Sequence, residues 1–170
     1  MRVYVPLTLP ALEEAHETGE LGSGQEEIRA YGVTPALREW YVSEDAEELE
    51  YAALGRAARA SLRLLAGDPG APRRRVVVAL DAKDKTVTPA PFDALGEEAI
   101  GEVRVAGPLR LAKAAAVHVD ADTAERDVTA AADALGAADQ GDEDAAFTVD
   151  GAEDHELLWY ATQEIPTLLG

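Results

Sequence analysis

Apolar and polar positions alternate at the start of the chain, and Arg2-Val3-Tyr4-Val5 reads as a strand ended by Pro6. Thr8 can cap a short helix with Pro10 in its first turn and Leu9, Leu12 and Ala15 on its apolar face. Gly19 to Gly24 reads as a turn, and Ile28 to Val33 as a second strand. Thr34-Pro35 opens another short helix that runs through Tyr41. The longest helix follows Ser43, its capping residue, with Glu44, Asp45, Glu47 and Glu48 at the positive end. It runs to Ala66 and stops at Gly67, with Pro69 just beyond. Leu49, Ala53, Leu54, Ala58, Ala60, Leu64 and Leu65 cover a wide arc of this helix. Glu48, Arg56, Arg59 and Arg63 share the narrow stripe that is left, so the helix is expected to be buried on more than one side.

The continuous run Val76-Val77-Val78-Ala79-Leu80 reads as a central strand covered on both faces. Lys83 to Pro91 reads as a loop, Glu102 to Ala106 as a strand, Leu109 to Lys113 as a short helix and Ala115 to Val119 as a strand. Asp122 and Glu125 have the spacing of a capping box before a helix whose core face is Val128, Ala131, Ala132 and Leu135. Gly136 is expected to end that helix, and Ala137 to Asp154 to form an acidic loop. Leu157 to Ala161 starts a last strand, which can reach Ile165 before Pro166 closes it.

This order predicts an α/β or α+β fold, a mixed sheet with helices, in a single domain over residues 1–170. Val3-Tyr4-Val5-Pro6-Leu7-Thr8-Leu9 is similar to Val103–Leu111, with two extra residues before the Leu-x-Leu. Two duplicated β-α-β-α-β halves, 1–82 and 96–166, packed in a ferredoxin-like way would account for it. Chance similarity in a chain rich in Ala, Val and Leu accounts for it equally.

Four sequence blocks are distinctive: Arg2–Thr8, Val33–Glu39, Glu47–Ala53 with Ala60–Leu65, and Leu157–Tyr160 with Gln163–Pro166. Together they resemble a family of uncharacterised actinobacterial proteins over most of the chain. The resemblance implies an actinobacterial host and a cytoplasmic setting. It carries over no catalytic residue, because the family has no assigned activity.

Charge narrows the function classes. The 170 residues include 33 Asp and Glu against 15 Lys and Arg, a formal charge of −18. Such a chain repels phosphate backbones and anionic lipid, so neither nucleic acid nor membrane is an expected partner. No apolar run approaches the roughly 20 residues that span a bilayer, and residues 1–6 lack a signal-peptide stretch, which points to the cytoplasm. With no cysteine, disulfides, thiolate metal sites and a Cys nucleophile are excluded. Only Lys83, Lys85 and Lys113 stand against twelve Arg, as GC-rich coding produces. No Lys or Arg follows Arg126, while acids continue to Glu164. The acids of Asp139–Glu156 either form a solvated face or present a negative patch to a basic partner.

His118-Val119-Asp120 is the one constellation with chemical content. Residues two apart on a strand share a face, so His118 and Asp120 can converge at the strand's C-terminal end. His155, between Asp154 and Glu156, can join them if the last strand lies alongside. Two histidines and a carboxylate suit Zn²⁺ or Mn²⁺, and a histidine beside an acid suits a general base. The plainer account makes Asp122 a helix cap, Asp120 a turn residue and His118 a satisfied strand histidine. A P-loop, a dinucleotide fingerprint and a Gly-x-Ser-x-Gly elbow are all absent, and no cofactor is expected. Arg73-Arg74-Arg75 is expected to pair with Asp or Glu of the same chain, or to flank the strand as gatekeepers against aggregation. Trp159 and Tyr160, with Asp142, Glu143 and Asp144, form the candidate interaction patch. The first reading is a non-catalytic protein that binds a protein partner or a second copy of itself. The second is a metal-assisted hydrolase or other small-molecule enzyme using His118, Asp120 and His155.

Overall fold

The structure is a computed structural model that describes residues 1–90 and 96–170. Its frame is a seven-stranded sheet of β1 (Arg2–Leu7), β3 (Glu27–Gly32), β4 (Val76–Asp81), β5 (Val87–Pro89), β6 (Glu102–Ala106), β8 (Ala114–Val119) and β9 (Leu158–Tyr160). The order is β5-β6-β3-β1-β4-β8-β9, and every neighbouring pair is antiparallel. β2 (Glu20–Leu21) and β7 (Leu109–Arg110) form a separate two-stranded ribbon. β4 lies between β1 and β8, so the β-branched run 76–80 is buried on both faces as expected.

The helices are α1 (Leu9–Thr18), α2 (Pro35–Tyr41), α3 (Ala46–Ala66), α4 (Glu125–Asp139), α5 (Glu143–Asp150) and α6 (Ile165–Leu169). One sheet face carries Val3, Val5, Val76, Val78, Leu80, Val117 and Val119, closed by Leu12 and Ala15 of α1 and Ile165 of α6. The other carries Tyr4, Tyr31, Val77 and Ala79 against Leu49, Ala53, Ala57, Ala58 and Ala60 of α3. These alanines let the helix lie close to the strands. Ser61 joins helix to sheet: its hydroxyl donates to the Leu7 carbonyl at 2.7 Å and accepts from the Val76 amide at 3.0 Å. Beyond the sheet, Leu62 and Leu65 meet Val128, Ala131, Ala132 and Leu135 of α4 and Val149 of α5. α3 is therefore buried on two sides.

Thr8 and Thr34 cap α1 and α2, and Gly19 ends α1 in the left-handed region at φ 80°. Other expectations change. Asp45, not Ser43, caps α3, because its carboxylate reaches the Glu47 and Glu48 amides. Leu64 faces solvent at 44% exposure and drops out of the buried arc. Residues 84–89 of the expected loop form a 3-10 turn and β5, and Pro91 lies outside the described residues. Leu109–Lys113 divides into β7 and a 3-10 turn. Asp122 starts a 3-10 turn ahead of α4 and makes no capping bond. α4 continues through Gly136 to Asp139, and the expected acidic loop holds α5. After β9 the chain enters a turn and α6, where Pro166 sits in the first turn rather than closing a strand.

The mixed α/β class holds, but the halves are not built alike. β3, β1 and β4 are contiguous in the sheet, whereas β6 is separated from β8 and β9 by all three of them. The segment that resembles the β1–α1 start leads into β7 instead of a helix.

Candidate functional site

A cleft of about 320 Å³ opens between the first half of α3 and the β1-β4-β8-β9 part of the sheet. Strand register sets its floor. Arg2 and Tyr4 lie opposite Asp81 and Ala79, Ala79 lies opposite Ala116, and His118 lies opposite Val77 and Trp159. Ala79 and Ala116 are small, and that leaves the space unfilled. The helical wall is Glu47, Glu50, Tyr51 and Leu54, whose spacing puts them on one helix face.

The charged groups differ in their engagement. Arg2 donates to both carboxylate oxygens of Asp81, at 2.8 and 3.2 Å. That pairing raises the Arg2 pKa and lowers that of Asp81. Tyr51 donates to Glu156 at 3.1 Å, and this bond raises its phenol pKa. Burial, then the Glu50 charge, raises Tyr4. His118 is half-buried, and its pKa falls below 6.5 through burial and then the nearby Arg2 charge. Among the described residues Glu47 and Glu50 have no ion-pair partner.

Asp120 does not converge with His118. It is wholly buried and paired with Arg75, which is 4% exposed. Its Oδ2 accepts from the Arg75 amide at 2.7 Å and from Nε at 2.9 Å, and its Oδ1 accepts from Nη2 at 2.8 Å. Arg75 also donates to the carbonyls of Ala152 and His155. This lock joins β4, the end of β8 and the 152–155 turn. The His155 ring stands 2.6 Å from Asp127 of α4. Among the described residues no group of three or more His, Asp or Glu side chains is placed to hold a metal ion. Of the expected set, His118 alone faces the cleft.

Asp142, expected in a loop, caps α5 through the Ala145 amide, with Glu143 and Asp144 in its first turn. Trp159 lines the cleft at 62% exposure, while Tyr160 packs against the core of the opposite face. Arg74 stands 3.8 Å from Asp122 and donates to the Asp120 carbonyl, and Arg73 donates to the carbonyls of Leu65 and Asp68. A second cavity, about 510 Å³ beside α3 and α4, is lined by Arg63, which Asp139 already binds through two 2.9 Å bonds. Reading along the chain missed Arg2, Tyr4, Glu47, Glu50 and Tyr51. The Glu47-Glu50-Tyr51-Leu54 spacing, one helix face, is a signal that could have found the three on α3, whereas Arg2 and Tyr4 carry none.

Among the described residues no helix is long and apolar enough to cross a membrane. No curated protein and no solved structure matches the chain. The sequence profile of one family does match, over residues 1–169, and the chain belongs to that family, a family of unknown function, DUF6912.

Proposed function

We propose that the protein is a non-catalytic binding protein of the cytoplasm whose recognition site is the α3–sheet cleft. One observation carries this reading. Trp159 and Tyr51, both largely exposed, line the same unfilled space as His118. Exposed rings cost solvation, and amphipathic aromatic residues in a concavity suit a protein interface. The lock on Asp120 favours binding over catalysis, because a general base oriented by that acid is not assembled. The Arg-rich, Lys-poor composition fits an actinobacterial host.

Affinity capture from such a host with wild type and with Trp159→Ala tests the reading. A protein retained by wild type, lost from the variant and then bound by the purified wild type supports it. The same proteins retained by both refute a role for the cleft.

A further inference from the structure

We propose that the cleft receives an arginine side chain from a basic segment of a partner protein, over the rings of Trp159 and Tyr51 and beside the carboxylates of Glu47 and Glu50. The inference rests on the binding reading above and names its partner chemistry.

The walls select a cation. Trp159 and Tyr51 are 62% and 61% exposed, so most of each side chain is open to an occupant. Aromatic faces attract cations, tryptophan most strongly. Glu47 and Glu50 line the same space with no ion-pair partner among the described residues. Arg2, the one guanidinium in the lining, is held by both oxygens of Asp81, and its charge still reaches Glu50 and His118, so one cation stands against two carboxylates there. Burial and then the Arg2 charge disfavour a protonated His118. An anion is therefore repelled, and an apolar occupant leaves two carboxylates facing it without a partner. A guanidinium satisfies both walls, because it stacks on rings and pairs with carboxylates in one plane.

Size and surroundings point to a protein segment. About 320 Å³ is at the low end of the roughly 300–1,000 Å³ range of ligand cavities, enough for one long side chain. Acids continue outside the cleft: Glu44, Asp45 and Glu48 are exposed on and before the first turn of α3, and Glu156 holds the Tyr51 hydroxyl. A basic segment meets this surround, whereas a lone amine leaves it empty. A second copy of the chain is the poorer occupant, because each copy carries −18.

The test uses the full chain with Trp40→Phe, so that Trp159 is the only tryptophan. Its fluorescence is titrated at low salt with acetyl-Gly-Arg-Gly-Arg-Gly-amide, with the same peptide carrying citrulline for arginine, and with free argininamide. The arginine peptide should shift the emission saturably, and citrulline should weaken binding about tenfold or more. Glu47→Gln with Glu50→Gln should weaken the arginine peptide by about tenfold as well, with an unchanged circular dichroism spectrum. Equal affinity for citrulline, no loss in the double variant, or no response to the arginine peptide overturns the proposal. Argininamide binding as tightly as the peptide overturns the protein source. A natural partner lost on Trp159→Ala yet kept by the double Gln variant leaves the binding reading standing without this inference. A partner kept by Trp159→Ala removes the binding reading itself.

Discussion

Two side chains show how burial decides a residue's role. Asp120 and Arg75 are both nearly inaccessible, yet every oxygen of the carboxylate is bonded. Removing one partner leaves a buried charge without compensation, which costs about 3–5 kcal/mol. Asp120→Ala should therefore lower the urea midpoint sharply. Joint replacement, Asp120→Leu with Arg75→Met, should recover much of that loss, because no charge is left stranded. A small loss for Asp120→Ala would mean that water reaches the pair. His118 gives a pH prediction. The fold holds its pKa below 6.5, through burial and then Arg2, so the unfolded chain takes up its proton first. Stability from this group is complete above pH 6.5 and is lost as pH falls through the folded value. Arg2 and Tyr4 of β1, Trp159 of β9, and Glu47, Glu50, Tyr51 and Leu54 of α3 line the same cleft as the ring. Urea unfolding at about pH 7 and about pH 5.5 should show a drop in wild type that shrinks in His118→Gln. The same drop in both proteins would assign it to other groups.

At the scale of elements, α3 carries the strictest packing. Ala53 and Ala57 are fully buried against the sheet, whereas Leu64 is 44% exposed. Ala53→Leu should cost about 1–3 kcal/mol by overpacking, read as a lower denaturation midpoint. Leu64→Glu should change the midpoint little, and the contrast between them maps the buried arc. α5 turns an acidic triplet into a helix start, so its acids carry different weights. Asp142→Ala should cost about 1 kcal/mol through loss of the cap, while Asp142→Asn should be nearly neutral, because Asn caps as well. Equal effects of the two would assign the loss to charge. These helices also show what was legible along the chain. Thr8, Thr34 and the β-branched run at Val76 each carry their own local signal, and α1, α2 and β4 start where expected. Gly136 misled because one glycine costs a helix only about 1 kcal/mol, and α4 recovers that by packing Leu135 and Ala138 in the core it shares with α3 and α5. α5 stayed hidden because Val149 is its only fully buried residue and Phe147 is 80% exposed. Sheet order was not legible, since β6 and β8 flank strands far away in the chain. The cleft was legible only at His118 and Trp159, because the rest of it is assembled by that order.

Over the whole molecule, charge is shared between distant segments. The stretch after Arg126 has no basic residue, and α3 supplies part of what it lacks. Arg59 reaches Asp150 and Glu153 at 3.4 and 3.2 Å, and Arg63 reaches Asp139 and Glu98. The Asp139 bond raises the pKa of Arg63, and the same bond holds Asp139 below the usual carboxylate range. Added salt therefore acts in two directions: it weakens these half-exposed pairs and it relieves repulsion among the remaining acids. Arithmetic decides the sign. With 33 acids against 15 bases, 18 carboxylates lack a basic counterpart even if every Lys and Arg is paired. Exposed pairs contribute only about 0–1 kcal/mol each. Relief of repulsion should win, and the unfolding temperature should rise between about 10 mM and about 150 mM NaCl, as the Debye length falls from about 30 Å to about 8 Å. Arg63→Ala separates the two effects. It removes two ion pairs that salt weakens and adds one net negative charge, so its salt-dependent rise should be steeper than that of wild type. A midpoint independent of salt in both proteins would mean that the acids are dispersed widely enough not to repel. A fall in wild type alone would mean that the α3 ion pairs govern stability.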